Sequence, residues 1–141
     1  MNPEVKFKRL FDKAQNINEE YKSFIYSISS AERCYVAPGE RKKIKTFLEI
    51  NIPSGFFGLI QPRKDEYLRI GLNVFPEVLY PEDKKELQLV VTNVNIPKSP
   101  FFMSDKERFL GDKSKIDIYI GDKICNFIIL PITEFNVKEV L

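Results

Sequence analysis

The chain has 141 residues, 22 of them basic and 20 acidic for a net charge of +2, with 43% hydrophobic and 30% charged residues and neither histidine nor tryptophan. That is the length of one domain able to bury a core and the composition of an ordinary folded protein, with no charge excess to suggest a nucleic-acid partner or an anionic membrane surface. Without histidine there is no Ser-His-Asp or Cys-His device, and two cysteines alone do not make a zinc site, so no protein metal site is expected.

In chain order, Met1 to Leu10 carries no apolar stretch of signal-peptide type. Val5 to Leu10 alternates apolar and basic residues and predicts a half-buried strand. Lys13 to Lys22 is the first of two places where a short helix fits; Ser104 to Leu110 is the other. Strands are expected over Ser23–Ser29, Lys42–Ile52, Gly58–Gln61, Tyr67–Val74, Glu86–Asn93, Ile116–Ile120 and Ile124–Ile132, with Pro and Gly in the breaks between them. Many short strands between turn signals argue an all-β sandwich or barrel. Cys34 and Cys125 fall in apolar strand-like runs and read as buried free thiols, as in a reducing compartment. No apolar run approaches the roughly 20 residues needed to span a membrane, and an intracellular protein is expected.

Some segments have both a plain and a functional reading. Arg41-Lys42-Lys43 with Lys45 reads as a solvated strand, and Glu82 to Glu86 as a solvated hairpin end. Phe56 and Phe57 read as core packing. Asn95 to Lys115 is too long for a hairpin loop, and its Phe101, Phe102, Met103 and Phe109 either cap the core or meet a partner. The end, Glu139-Val140-Leu141, either packs on a neighbouring subunit or offers an apolar carboxylate terminus to a partner groove.

Taken together, several motifs resemble the trimeric dUTPase family. Tyr26-Ser27-Ile28-Ser29-Ser30-Ala31-Glu32 stands where that family has Gly-Tyr-Asp-Leu and a following Ala-Glu. Val36-Ala37-Pro38-Gly39-Glu40 resembles its Pro-Pro-Gly-Glu turn, and Pro53-Ser54-Gly55-Phe56-Phe57-Gly58 its Pro-x-Gly-Tyr-Tyr-Gly turn. Pro62 to Asn93, which includes Asn73, follows the family spacing without a gap, and Gly121-Asp122-Lys123-Ile124-Cys125-Asn126-Phe127-Ile128 resembles the last core strand. The resemblance implies a dUTPase-like jelly-roll or β-barrel domain covering residues 1–141, with an insertion at about 95–115, and a homotrimer with shared sites.

The departures fall on the chemistry. By that resemblance, the family's first-motif aspartate falls on Ser27, and Pro-Arg-Ser-Gly becomes Pro62-Arg63-Lys64-Asp65. Arg63 is kept to grip phosphate. Asp65 is expected to repel it, by about 4 kcal/mol for a charge pair at ~4 Å and an effective dielectric of ~20. The water-activating aspartate falls on Tyr80, a poor base with a pKa near ~10. The sugar-stacking tyrosine falls on Asp83, the arginine on Lys84 and the fourth-motif glutamine on Asn126. No glycine follows Gly121 to form a closing tail. These changes imply a non-enzyme: a protein-binding or regulatory module, viral and directed at host factors in the cytoplasm or nucleus, comparable to an adenoviral early-region relative. No cofactor, nucleic acid or membrane is expected. The alternatives are a divergent, magnesium-dependent dUTP diphosphatase, with Glu82 or Glu86 as a displaced base, and a nucleotide sensor without turnover.

Overall fold

A computed structural model describes residues 3–22, 24–96 and 114–141, the side chains of Tyr67 and Leu68 excepted. Eleven strands and one helix are present among the described residues. A four-stranded sheet runs in the order β1 (Lys6–Arg9), β5 (Arg41–Asn51), β9 (Glu86–Asn93), β7 (Leu72–Val74). A five-stranded sheet runs β2 (Asn18–Tyr21), β3 (Ile25–Ser29), β11 (Lys123–Pro131), β6 (Phe56–Pro62), β8 (Glu77–Leu79). A small third sheet pairs β10 (Ile116–Ile118) with β4 (Cys34–Val36), and every strand pair is antiparallel.

The two large sheets bury one face each. Alternation on β5 sends Ile44, Leu48 and Ile50 inward, where they join Leu89 and Val91 of β9 and Ile60, Cys125 and Phe127 of the other sheet. At Gly58 the packing is too close for a side chain, because a Cβ would collide with the Phe127 ring and come within 3.2 Å of Ile52 Cδ1. The Pro-x-Gly-x-x-Gly run is therefore a framework feature: Gly55 takes φ +87° in the turn, and Gly58 makes room for a buried ring.

Several expectations need correcting. Lys13–Lys22 forms no helix; its second half is strand β2. Tyr67–Val74 is not one strand but the end of helix α1 (Lys64–Ile70) and the whole of β7, joined through Gly71 at φ +80°. Asp65 and Glu66 in the first turn and Arg69 in the last suit the helix dipole, and the glycine supplies the left-handed stop. The first strand is exposed throughout rather than half-buried. Phe56 packs against the core, but Phe57 lies on the opposite face of β6. Cys125 is a buried free thiol as expected, whereas Cys34 is only partly buried. Ser104–Leu110 and the Phe101, Phe102, Met103 and Phe109 cluster lie outside the described residues.

Candidate functional site

The outer face of the five-stranded sheet is built in rows that the pairing register defines. Asn18, Ser27, Asn126 and Gln61 lie side by side across four strands. Their neighbours Cys125 and Phe127 point into the core, so this row points away from it. Two β-bulges complete the row. The β11–β3 register shifts between Lys123 and Cys125, so Ile124 and Cys125 both stay buried and Lys123 is turned to the face of Asn126. The β2–β3 register shifts between Glu19 and Tyr21, leaving Glu20 as the extra residue.

These side chains meet around Arg63, which follows β6. Its Nη1 donates to Asn126 Oδ1 at 3.0 Å and to Glu20 Oε1 at 3.3 Å, and its Nε donates to Glu66 Oε2 at 3.2 Å. Lys123 Nζ lies 2.7 Å from the same Glu20 oxygen. The Lys123 ammonium, then the Ser27 hydroxyl, hold the Glu20 carboxyl below its ordinary range. Behind the row, burial pushes the Cys125 thiol up to about 12, so it is no nucleophile at neutral pH.

Three of the nominated positions, Ser27, Arg63 and Asn126, therefore come together. The others do not join them. Lys64 and Asp65 are exposed on α1. Among the described residues the carboxylates paired with Arg63 are Glu20 and Glu66, not Asp65. Asn73 sits on β7 in the other sheet, opposite Thr92. Tyr80, Asp83 and Lys84 lie at the far end of β6: Leu79 pairs with Gly58, which places Tyr80 beyond it and Arg63 roughly 20 Å away along the strand. There Asp83 folds back, its Oδ2 accepting from Tyr80 N at 2.9 Å while Asp83 N donates to Tyr80 O at 3.0 Å. Val140 and Leu141 are fully exposed. Glu20 and Glu66 were not singled out in the sequence. Glu66 was legible as a first-turn acid, whereas Glu20 sits in an all-polar stretch that no strand pattern marks.

Between the two groups, the next outward row is apolar: Ile25, Ile128, Leu59 and Val78 lie side by side on four strands, none of them buried, Val78 38% exposed. On the inner face, an apolar cavity of about 450 Å³ opens between β1 and the five-stranded sheet, lined by Val5, Phe7, Phe24, Tyr26, Phe56 and Phe127 among others. Its lining suits no charged ligand.

This architecture is shared with solved structures. The dUTPase of Staphylococcus aureus phage phi11 superposes with a TM-score of 0.81 at 22% identity, over 98% of this chain and 96% of that one. The dUTPase of Staphylococcus bacteriophage 80alpha gives 0.79 at 23% identity, over 97% and 96%. The fold is that of the dUTPases. In sequence, the deoxyuridine 5'-triphosphate nucleotidohydrolase of Mycobacterium leprae is 31% identical over 81 residues, 56% of this chain and 52% of that protein. That of Leifsonia xyli is 25% identical over 108 residues, covering 75% of this chain and 60% of it. The chain thus spans about half the length of the curated relatives it matches. No family model matches.

These likenesses overturn the expectation of a non-enzyme. The relatives and structures just named are dUTPases or deoxyuridine triphosphate nucleotidohydrolases, which points to an enzyme. The residues at Ser27 and Tyr80 do not by themselves establish lost chemistry; the Glu20 and Asp83 carboxylates lie beside them.

Proposed function

We propose that the chain is a divergent dUTP diphosphatase, hydrolysing dUTP to dUMP and pyrophosphate as a homotrimer. The observation that carries this reading is the Arg63–Asn126 hydrogen bond of 3.0 Å. It joins, on a dUTPase fold, the two positions that resemble the family's phosphate-gripping arginine and fourth-motif glutamine. Arg63 Nη2 donates to no described residue, which leaves a planar donor edge for a phosphate oxygen.

Water activation falls to Asp83. Asp83 is folded on to the backbone of the very residue that took the aspartate's place. A carboxylate shifted by ~1 Å costs on the order of 10²-fold, so a slow enzyme is expected.

The same geometry supports the assembly. Arg63 and Asp83 stand at opposite ends of β6, so they meet only if two subunits supply them. The Ile25–Ile128–Leu59–Val78 row between them is an apolar sheet face suited to burial against a second copy. The exposed apolar segment with Ile132, Phe135, Val137 and Val140 suits the same use.

Magnesium is the implied metal; one of the phage phi11 structures is described with a structural Mg(II) ion. Among the described residues no three His, Cys, Asp or Glu side chains form a cage. Glu20 and Asn126 already face cations, so the residues fit a magnesium ion carried by the triphosphate's own oxygens rather than by the protein. Such an ion would neutralise charge on the phosphates.

Pyrophosphate release from dUTP with magnesium tests the reading. Turnover is expected, and Asp83→Asn should lower kcat by about 10²-fold or more with an unchanged melting temperature. No turnover above the uncatalysed blank, in a preparation of trimeric mass, would end it.

A further inference from the structure

Glu20 is placed by construction. It is the one residue of β2 without a register partner, the extra residue of a bulge on an edge strand. Bulges at sheet edges re-aim side chains, and this one turns the carboxylate over the polar row. There Oε1 bridges Lys123 Nζ at 2.7 Å and Arg63 Nη1 at 3.3 Å. The second bulge, at Ile124, delivers Lys123 to the same spot. One carboxylate thus stands between the two cations of the row, where an incoming phosphate would stand.

Glu66 also pairs with Arg63, but at Nε and from a side chain 18% exposed. Glu20 comes from an exposed edge strand with its side chain 25% exposed, and it holds both cations at once. Of the two acids, Glu20 is the one a ligand can exchange.

We infer that Glu20 is a specificity-determining residue, an internal counter-anion that a ligand must displace from Arg63 and Lys123, so that the site admits polyphosphates and rejects singly phosphorylated nucleotides. The inference rests on the proposed triphosphate site and deepens it. A ligand gains only the difference between its own pairing with the two cations and the pairing it replaces. A monophosphate offers little more than the carboxylate does. A triphosphate brings more charge and more acceptor oxygens, so it displaces Glu20 with a net gain. The product dUMP, on the same ground, leaves readily.

The test is calorimetric titration of the full chain with inorganic tripolyphosphate and with dUMP, for the wild type, Glu20→Gln and Glu20→Asp. Glu20→Gln keeps the size and the acceptor oxygen but removes the charge. It should bind tripolyphosphate about tenfold more tightly, roughly 1.4 kcal/mol, and dUMP, which displaces the same pairing, should gain by up to the same factor. Glu20→Asp keeps the charge and should stay within about twofold of the wild type, the scale of a solvent-screened pair. A merely structural role predicts weaker binding in both variants. Equal or weaker tripolyphosphate binding by Glu20→Gln, or none by any of the three proteins, overturns the inference. Turnover of dUTP measured alongside keeps the two ideas apart. Tighter tripolyphosphate binding in Glu20→Gln without dUTP hydrolysis sinks the enzyme and spares Glu20; hydrolysis with unchanged binding does the reverse.

Discussion

The two ends of strand β6 differ in what a single chain supplies. At the Arg63 end the guanidinium is held by Glu20, Glu66 and Asn126, from β2, α1 and β11, with Lys123 beside them. Four elements converge there without help. At the other end, among the described residues, Tyr80 and Asp83 hydrogen-bond only each other, through a pair of bonds across one turn, and Tyr80 is half-exposed. By the resemblance, Arg63 and Asn126, at the self-sufficient end, stand near the dUTPase pattern, whereas Tyr80, Asp83 and Lys84 at the hairpin tip depart from it. An internal network ties each member to several others, so changing one strands the rest. A tip whose partners, in the proposed trimer, come from another subunit carries no such internal tie.

The largest expected effect comes from separating the ends. Leu59 lies midway along β6, in the apolar row that faces away from the core. Leu59→Glu puts a charge in the centre of the proposed subunit contact, and burying it unpaired costs several kcal/mol. The expected outcome is a monomer by mass measurement, with dUTP turnover lowered by about 10³-fold or more, because the two half-sites no longer meet. A variant that stays trimeric and active would show that the row is no interface and that each chain completes its own site.

Gly58→Ala, one residue away but facing inward, should act on the core alone. The added Cβ collides with the Phe127 ring, which is 1% exposed. Overpacking of this kind costs about 1–3 kcal/mol, a fall in melting temperature of roughly 3–10 °C for a domain of this size. The oligomeric mass should not change. Adjacent residues on one strand would then separate core from interface, and an unchanged melting temperature would deny Gly58 its framework role.

The contrast between the ends also explains what the sequence made legible. The long alternating strands, β5, β9 and β11, were plain, because apolar residues at period two have one reading. The Pro-x-Gly-x-x-Gly run pointed to the fold because its glycines answer fixed steric demands. Helix α1 was missed because Tyr67, Leu68 and Ile70 look strand-like, although Asp65, Glu66, Arg69 and Gly71 carried its start and stop signals. Strands β2 and β8 were missed for want of any apolar alternation in Asn18–Tyr21 and for the prolines, Pro76 and Pro81, that bracket Glu77–Leu79. In the site, Ser27, Arg63 and Asn126 were found by position. Glu20 was not, because its place depends on a bulge, and a bulge is a property of pairing between strands rather than of either strand alone. Judging loss of chemistry from Ser27 and Tyr80 failed because two positions read in isolation do not settle what the chain does when its relatives are dUTPases.

The smallest effect expected is electrostatic and confined to acid. Lys123 and the Ser27 hydroxyl, with Arg63, hold the Glu20 carboxyl below its ordinary value of 4.5 in the folded chain. Glu66 is the other carboxylate facing Arg63. A carboxyl whose folded value is depressed stabilises the fold fully above its unfolded value and loses that contribution as pH falls through the folded one. Wild-type stability to denaturant should therefore decline below pH 4.5 more steeply than that of Glu20→Gln, and the two curves should run parallel above it. Because Glu20 is partly exposed, salt should flatten the difference. If the two proteins follow the same acid limb at low salt, Glu20 is not tied to Lys123 and Arg63 in solution, and the self-sufficient end of β6 would depend on Glu66 and Asn126 alone.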